Sequence, residues 1–312
     1  MENNNDVISP EFLILIITAT IVGTIVRSLS IKQDYRQYPN YPNGTLIHLV
    51  TGAIASALGA FIIPTLMTKN FTAVTFLTLA LQQFREVRKM ERESLMDLEK
   101  HEFTKRGNTY IDGIAKTFES RNYISLLVSF STALTMQLLN VYEILTDYTV
   151  ITIIVSAAVG LIVYFLLKNF TKGRKVKDIA TVREGQIEIK GSELHVEGIF
   201  VTNLVGLKIG QRLFEEEGLA AIIEPKEIHY RITLEHFGQR QAMLFESTRV
   251  LGLKRYNFTF QNLRDGRIVI AFIPIIKDFD LFKECLLNAP LIESVKKSPR
   301  LMGGTVKAGG HQ

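Results

Sequence analysis

Apolar and polar positions follow two rhythms along this chain. Through residue 167 the apolar residues come in long uncharged stretches, whereas after Lys177 they come in short runs of period two or 3.6. A helix that crosses a hydrocarbon core of about 30 Å needs roughly 20 apolar residues and tolerates few charges, so the long stretches predict membrane spans. Residues 46–67, 122–142 and 148–167 meet that requirement without one charged residue. The first of them carries Gly52, Ser56 and Ala60 at four-residue spacing, a ridge of small side chains that lets helices approach closely. Residues 12–26 form a shorter run before Arg27, whose side chain can snorkel, and this run is also expected to span. Residues 71–84 are as short and rich in threonine; they are expected to cross with a length mismatch, to re-enter, or to lie flat.

Lysine and arginine near span ends resist translocation, which sets the orientation. Nine of them fall in 85–121, and Lys168, Lys172, Arg174, Lys175 and Lys177 follow the last stretch, so both segments are expected to be cytoplasmic. The loop 141–147 between them has Glu143 and Asp147 and no base, which suits the outer side. The division expected is three spans within 1–84, a cytoplasmic connection at 85–121 that starts as a solvated stalk helix, a transmembrane hairpin at 122–167, a cytoplasmic domain at 178–298 and a flexible tail at 299–312. About five spans place the amino terminus outside and the loop of Arg27, Lys32 and Arg36 inside. If 71–84 does not cross, the first three assignments invert and the carboxyl domain stays cytoplasmic.

In the polar part, residues 187–189, 195–201 and 267–273 alternate as strands do, the last pairing with 257–263 through Arg264-Asp265-Gly266. Helical periods cover 210–217, 238–251 and 280–296. From Tyr230 onward the order strand, helix, hairpin, helix is that of a split β-α-β sandwich. The fold class expected is thus a polytopic α-helical membrane domain followed by a cytoplasmic α+β domain.

Composition narrows the partners. Hydrophobic residues make up 47% of the chain, high for a soluble protein. The 36 lysines and arginines against 31 acids leave +5, too mild an excess for a dedicated nucleic-acid binder. A single cysteine, Cys285, excludes a disulfide framework and a thiolate zinc cluster, and reads as a core residue. The partners expected are the lipid bilayer and other proteins, with a homo-oligomer left open and no nucleic acid.

Few positions carry a pattern that points to chemistry. Six scattered histidines show no metal-ligand spacing, so neither a metal nor another cofactor is expected. His48, inside a predicted span, is either functional or hydrogen-bonded to a neighbouring helix. Ser125, Ser129 and Thr132 share one helical face near Gln137, and this face either lines a polar path or ties helices together by hydrogen bonds of roughly 0.6 kcal/mol each. No acid lies inside a predicted span, so an intramembrane aspartyl protease or proton-coupled pump would lack its usual machinery. Two positions stand out. Gly238-Gln239-Arg240-Gln241 opens a helix whose free amides and dipole favour an anion, with Arg240 as a bidentate donor; a carboxylate docks there, or the glycine merely permits a tight junction. Asp112, followed by Gly113, is a candidate general acid or base, or else caps the helix that leads to Arg121.

Asp112 belongs to Tyr110-Ile111-Asp112-Gly113-Ile114-Ala115. This hexapeptide resembles the hallmark of the YIEGIA family of polytopic membrane proteins in endospore-forming Firmicutes, with Asp112 where the family usually has Glu. Ala180-Thr-Val-Arg-Glu-Gly-Gln-Ile, Val196-Glu-Gly-Ile-Phe-Val-Thr-Asn, His236-Phe-Gly-Gln-Arg-Gln-Ala242 and Ile273-Pro-Ile-Ile-Lys-Asp278 resemble further segments of that family, in order. The resemblance therefore runs from the first span to about Ser298, with the lysine- and glycine-rich tail outside it. It implies a sporulation-associated integral membrane protein of the forespore or mother-cell membrane. A regulator or assembly factor acting through the cytoplasmic domain is the function expected. A membrane-embedded protease or hydrolase and a solute path are the alternatives. Motif and carboxyl domain fall on one side of the membrane and are expected to meet.

Overall fold

A computed structural model of the chain describes residues 10–34, 42–69, 71–84, 86–142, 150–171 and 173–292. The amino-terminal leader, the Arg36 loop, the acidic loop with Glu143 and Asp147, and the tail at 299–312 lie outside the described residues. The chain divides into two compact units, Met1–Glu93 with Ile114–Lys172, and Ser94–Gly113 with Gly173–Gln312.

The first unit is helical, built from α1 (Pro10–Asp34), α2 (Pro42–Met67), α3 (Phe71–Phe84), the start of α4 (Glu86–Glu99), most of α5 (Asn108–Val141) and α6 (Val150–Phe170). Among the described residues, four helices are long and apolar enough to cross a membrane, over Glu11–Ile31, Thr45–Met67, Asn108–Val141 and Val150–Phe170. At 14 residues α3 is about 21 Å long, less than a hydrocarbon core. The hexapeptide is helical: α5 starts at Asn108, ahead of the uncharged run from Asn122, and runs 34 residues without interruption. Nothing between the motif and the uncharged run breaks a helix, since Gly113 costs only about 1 kcal/mol inside one.

Small residues set the packing of this unit. A Cβ on Gly59 would stand 2.2 Å from the Leu126 carbonyl oxygen, and one on Gly160 would stand 2.3 Å from Thr132 Oγ1. Along α5, Asn122 meets Arg27, Ser125 meets Gly23, and Ala133 and Met136 share a cluster with Leu15 and Ala19, so α1 is antiparallel to α5. Ser129 bonds Ser56, while Ala60 and Ile63 join Ala133 and Met136, so α2 runs parallel to α5. The outer faces stay apolar, with Ile17, Ile21 and Ile25 on α1 and Ile151, Ile154 and Ile162 on α6 all exposed.

The second unit is α+β. Its four-stranded sheet has the order β1 (Ala180–Glu184), β5 (Leu219–Pro225), β7 (Ile268–Ile273), β6 (Arg255–Gln261), with every neighbouring pair antiparallel. β5 and β6 are therefore parallel with β7 inserted between them, and α9 (Phe237–Leu251) is the crossover, a split β-α-β arrangement. Its first strand is β5. The segment from Tyr230, expected to be a strand, is helical instead: Ile228–Tyr230 is a 3-10 turn leading into α8 (Arg231–Leu234). Tyr230 and Leu234 then turn to the same core at helical spacing.

Both faces of the sheet are covered. On one, Ala221, Ile223, Ile270 and Phe272 pack with Met243 and Leu251 of α9 and with Phe282 and Leu286 of α10 (Phe279–Asn288). On the other, Ala220, Ile222, Val269 and Ala271 pack with Phe214 of α7 (Lys208–Glu217) and with a small sheet of β2 (Ile187–Lys190), β3 (Glu193–Val196) and β4 (Ile199–Thr202). The run 195–201, expected to be one strand, is two, because Glu197 (φ 47) and Gly198 (φ 75) turn the chain back. Asp278 ends the loop before α10 by accepting from the Leu281 amide at 3.0 Å, and α10 stops at Asn288 rather than Lys296.

Candidate functional site

The segment 94–113 belongs to the α+β unit, and its grip on α9 and β6 defines the candidate site. The buried Glu99 closes the loop that follows α4 by accepting the Gly107 amide at 2.7 Å, and Gly107 has a left-handed φ of +86. Within that loop Thr104 Oγ1 accepts from Asn257 Nδ2 of β6 at 3.0 Å, and the Lys105 carbonyl accepts from Gln241 Nε2 of α9. The Arg106 side chain is enclosed: its guanidinium pairs with Glu102 at 2.9 Å and lies 4.5 Å from the centre of the Phe245 ring. This combines an ion pair with a cation–π contact in a partly desolvated setting.

The hexapeptide follows directly. The Gly107 carbonyl takes the amides of Tyr110 and Ile111, which starts α5. Tyr110 is buried; its ring meets Phe245 edge-on at 6.2 Å and its hydroxyl donates to Glu246 Oε1. The other oxygen of that carboxylate accepts from Arg249 Nη2 at 2.6 Å. Glu246 is thus divided between a tyrosine of α5 and an arginine one turn further along α9. Ile111, beside Tyr110 in the sequence, is buried, while Asp112 and Gly113 are half-buried. Asp112 sits inside the helix, with no acidic residue in the first turn, so the cap reading fails. The first turn is held by Gly107 instead.

The second sequence candidate is part of the same contact. A Cβ on Gly238 would stand 3.0 Å from Thr109 Cβ and Oγ1, so glycine here lets the motif helix pass. The Gly238 amide donates to His236 Nδ1 at 3.1 Å, and the next two amides bond the His236 carbonyl, which engages the amides an anion would have used. Gln239 is fully buried and holds the chain after α10, donating to the Pro290 carbonyl and accepting from the Ile292 amide, each at 3.0 Å. Gln241 reaches Lys105, as above. Arg240 lies 5.8 Å from the centre of the Phe237 ring, and burial holds its guanidinium below the ordinary value. The structure thus gathers Gly238 and Gln241 against the motif segment and leaves Gln239 and Arg240 in other contacts. Sequence reading missed Phe245, Glu246 and Arg249. The one available signal was the Glu246/Arg249 spacing, which is common on any solvated helix.

Two hydroxyls of α5, those of Ser125 and Ser129, tie it to neighbouring helices, while that of Thr132 stays within α5. Ser125 donates to the Gly23 carbonyl at 3.0 Å, Ser129 to the Ser56 carbonyl at 2.6 Å, and Thr132 to its own helix at Val128. Among the described residues no group of three His, Cys, Asp or Glu is placed to hold a metal ion.

Four helices long and apolar enough to cross a membrane among the described residues, followed by a split β-α-β unit whose crossover helix holds a tyrosine-bearing helix start, define a class of proteins with an apolar helical part and an α+β part. The YIEGIA protein family model matches residues 15–302, and the chain belongs to that family. It is 36% identical over 296 residues, 93% of this chain and 95% of the relative, to a Bacillus subtilis (strain 168) protein named YphB and described as uncharacterized. No solved structure matches it significantly.

Proposed function

We propose that the protein is a multi-pass protein of a sporulation membrane that works as a regulator or assembly factor, its α+β unit binding another protein in the cytoplasm. The continuity of α5 carries this reading. Its first turns, with Tyr110, belong to the α+β unit and the rest belongs to the helical unit. A partner that displaces α9 acts on Tyr110 through Glu246 and Phe245, and so on the start of a span. The sporulation setting is what the resemblance to the YIEGIA family implies, and the nine bases of 85–121 support the cytoplasmic side.

Packing within the helical unit favours five passages. Because α2 is parallel to α5, Met67 ends near the Val141 end, yet Arg88 pairs with Glu119 at 3.7 Å toward the opposite end. The chain has to return between these points. Leu81 of α3 and Val87 of α4 pack in the cluster of Ala55, Leu58 and Ile62 on the way back. The shortness of α3 is then met by the first turns of α4 and by local thinning of the bilayer.

The test is complementation of a deletion in a spore-forming host with Tyr110→Ala, scoring spore yield, protein level and crosslinked partners. Normal yield with an unchanged partner set at normal abundance would refute the reading. For topology, in a Cys285→Ser background, Lys69→Cys should label from outside intact cells and Ser94→Cys only after lysis; labelling of neither from outside would leave four passages.

A further inference from the structure

The helical unit holds a second polar cluster that the proposed function leaves unused. Arg27 of α1 is fully buried; its Nε donates to Asn122 Oδ1 at 3.0 Å, and its guanidinium lies 5.2 Å from the centre of the Phe118 ring. Its stem occupies the space a side chain at Gly52 would need, where a Cβ would stand 2.2 Å from Cγ. The Phe118 ring also meets His48 of α2 at 4.8 Å. Arg27 lies within electrostatic reach of both His48 and Arg121, the neighbour of Asn122 on α5. Glu119, two residues before Arg121, is engaged by Arg88.

Asn122 supplies an independent observation. It is fully buried, and its Nδ2 has no hydrogen-bond partner among the described residues. An unsatisfied buried donor of this kind costs about 1–3 kcal/mol unless something accepts from it. Guanidinium groups and a carboxamide NH2 only donate, so the cluster matches an oxyanion. Like charges in a low-dielectric bundle raise one another's cost, and a shared anion lowers it.

The depth of the cluster points to the ligand. Arg27 lies near the end of Glu11–Ile31, His48 near the start of Thr45–Met67, and Arg121 immediately before the uncharged run 122–142. These are the ends at which a span leaves hydrocarbon for headgroups. We propose that Arg27, His48, Arg121 and Asn122 form a phosphate-binding site at headgroup depth, entered past the half-buried Arg121. The inference rests on reading these helices as spans. Its ligand is a phosphate group, carried by an anionic phospholipid or by a free anion.

The experiment uses the full chain, purified in uncharged detergent without phosphate. Thermal midpoints are recorded with added phosphatidylglycerol, phosphatidylcholine or inorganic phosphate, and native mass spectrometry counts the phospholipids retained. Phosphatidylglycerol should raise the midpoint and stay bound where phosphatidylcholine does not. Measured against its own midpoint in phosphatidylcholine, Arg121→Gln should weaken the response to phosphatidylglycerol at least tenfold, and Arg121→Lys should keep most of it. A response to inorganic phosphate that Arg121→Gln abolishes supports the same site with a free anion as its ligand. No response to either probe, or one that Arg121→Gln leaves intact, overturns the proposal. Release of the chain from membranes by alkaline carbonate would instead overturn the reading of the helices as spans.

Discussion

The hydrogen bond between Tyr110 and Glu246 offers the most direct test of the clamp. Tyr110→Phe keeps the ring edge-on to Phe245 and removes only the hydroxyl that meets Glu246 Oε1. Hydrogen bonds to charged groups contribute about 1.5–3 kcal/mol, but Glu246 keeps Arg249 on its other oxygen at 2.6 Å. The loss should therefore fall at the lower end, about 1–2 kcal/mol. Hydrogen exchange is the suitable assay, because the amides of Tyr110 and Ile111 bond the Gly107 carbonyl and report the opening of this first turn. Their protection should fall by about 5–30-fold in Tyr110→Phe. Glu246→Gln also weakens the pairing with Arg249 and should cost more, and the double variant should cost little more than Glu246→Gln alone, since the Tyr110 hydrogen bond can be lost only once. Additive losses with a coupling under about 0.3 kcal/mol would refute the clamp as described, as would unchanged protection in Tyr110→Phe.

Other substitutions probe the remaining contacts. Gly238→Ala should destabilise the α+β unit by about 1–3 kcal/mol, since its Cβ would crowd Thr109 Cβ and Oγ1 at 3.0 Å, and Thr109→Ala, which removes Oγ1 but keeps Cβ, should recover only part of the loss in a denaturation series. Gly59→Ala would press 2.2 Å from the Leu126 carbonyl and should sharply lower the amount of folded protein recovered from membranes. The hydrogen bond from Arg183 holds the Glu197 carboxylate below its ordinary value, so its contribution is present above the unfolded-state value near pH 4.5 and is lost as pH falls through the lowered one. That contribution is below about 1 kcal/mol at so open a site, and Glu197→Gln should flatten the acid limb of the stability profile correspondingly.

How much of this was legible in the sequence varies with the kind of signal. The long apolar helices are legible because a soluble fold rarely leaves twenty consecutive residues without a charge, and the hairpin through Arg264-Asp265-Gly266 because turn chemistry sits between two alternating runs. β5 went unread because Leu219-Ala-Ala-Ile-Ile is covered on both faces and so shows no alternation. The turn at Glu197-Gly198 was missed because Glu is an unusual residue at positive φ. The site was the least legible part. Gly238 and Gln241 were singled out as an anion dock, yet they serve the motif segment, and nothing local to Tyr110 identifies a carboxylate 136 positions away as its partner.

The loop after α4 has a consequence for how the protein can be made. Phe103 is 90% exposed, yet the chain around it is fastened on both sides, by Glu99 to Gly107 and by Thr104 to Asn257. A single protease cut at Phe103 would separate α1 through α4 from α5 onward, but Leu15, Ala60 and Met136 would still share one cluster. Two polypeptides encoded by separate genes and broken at this point should therefore find each other in the cell and assemble as the intact chain does.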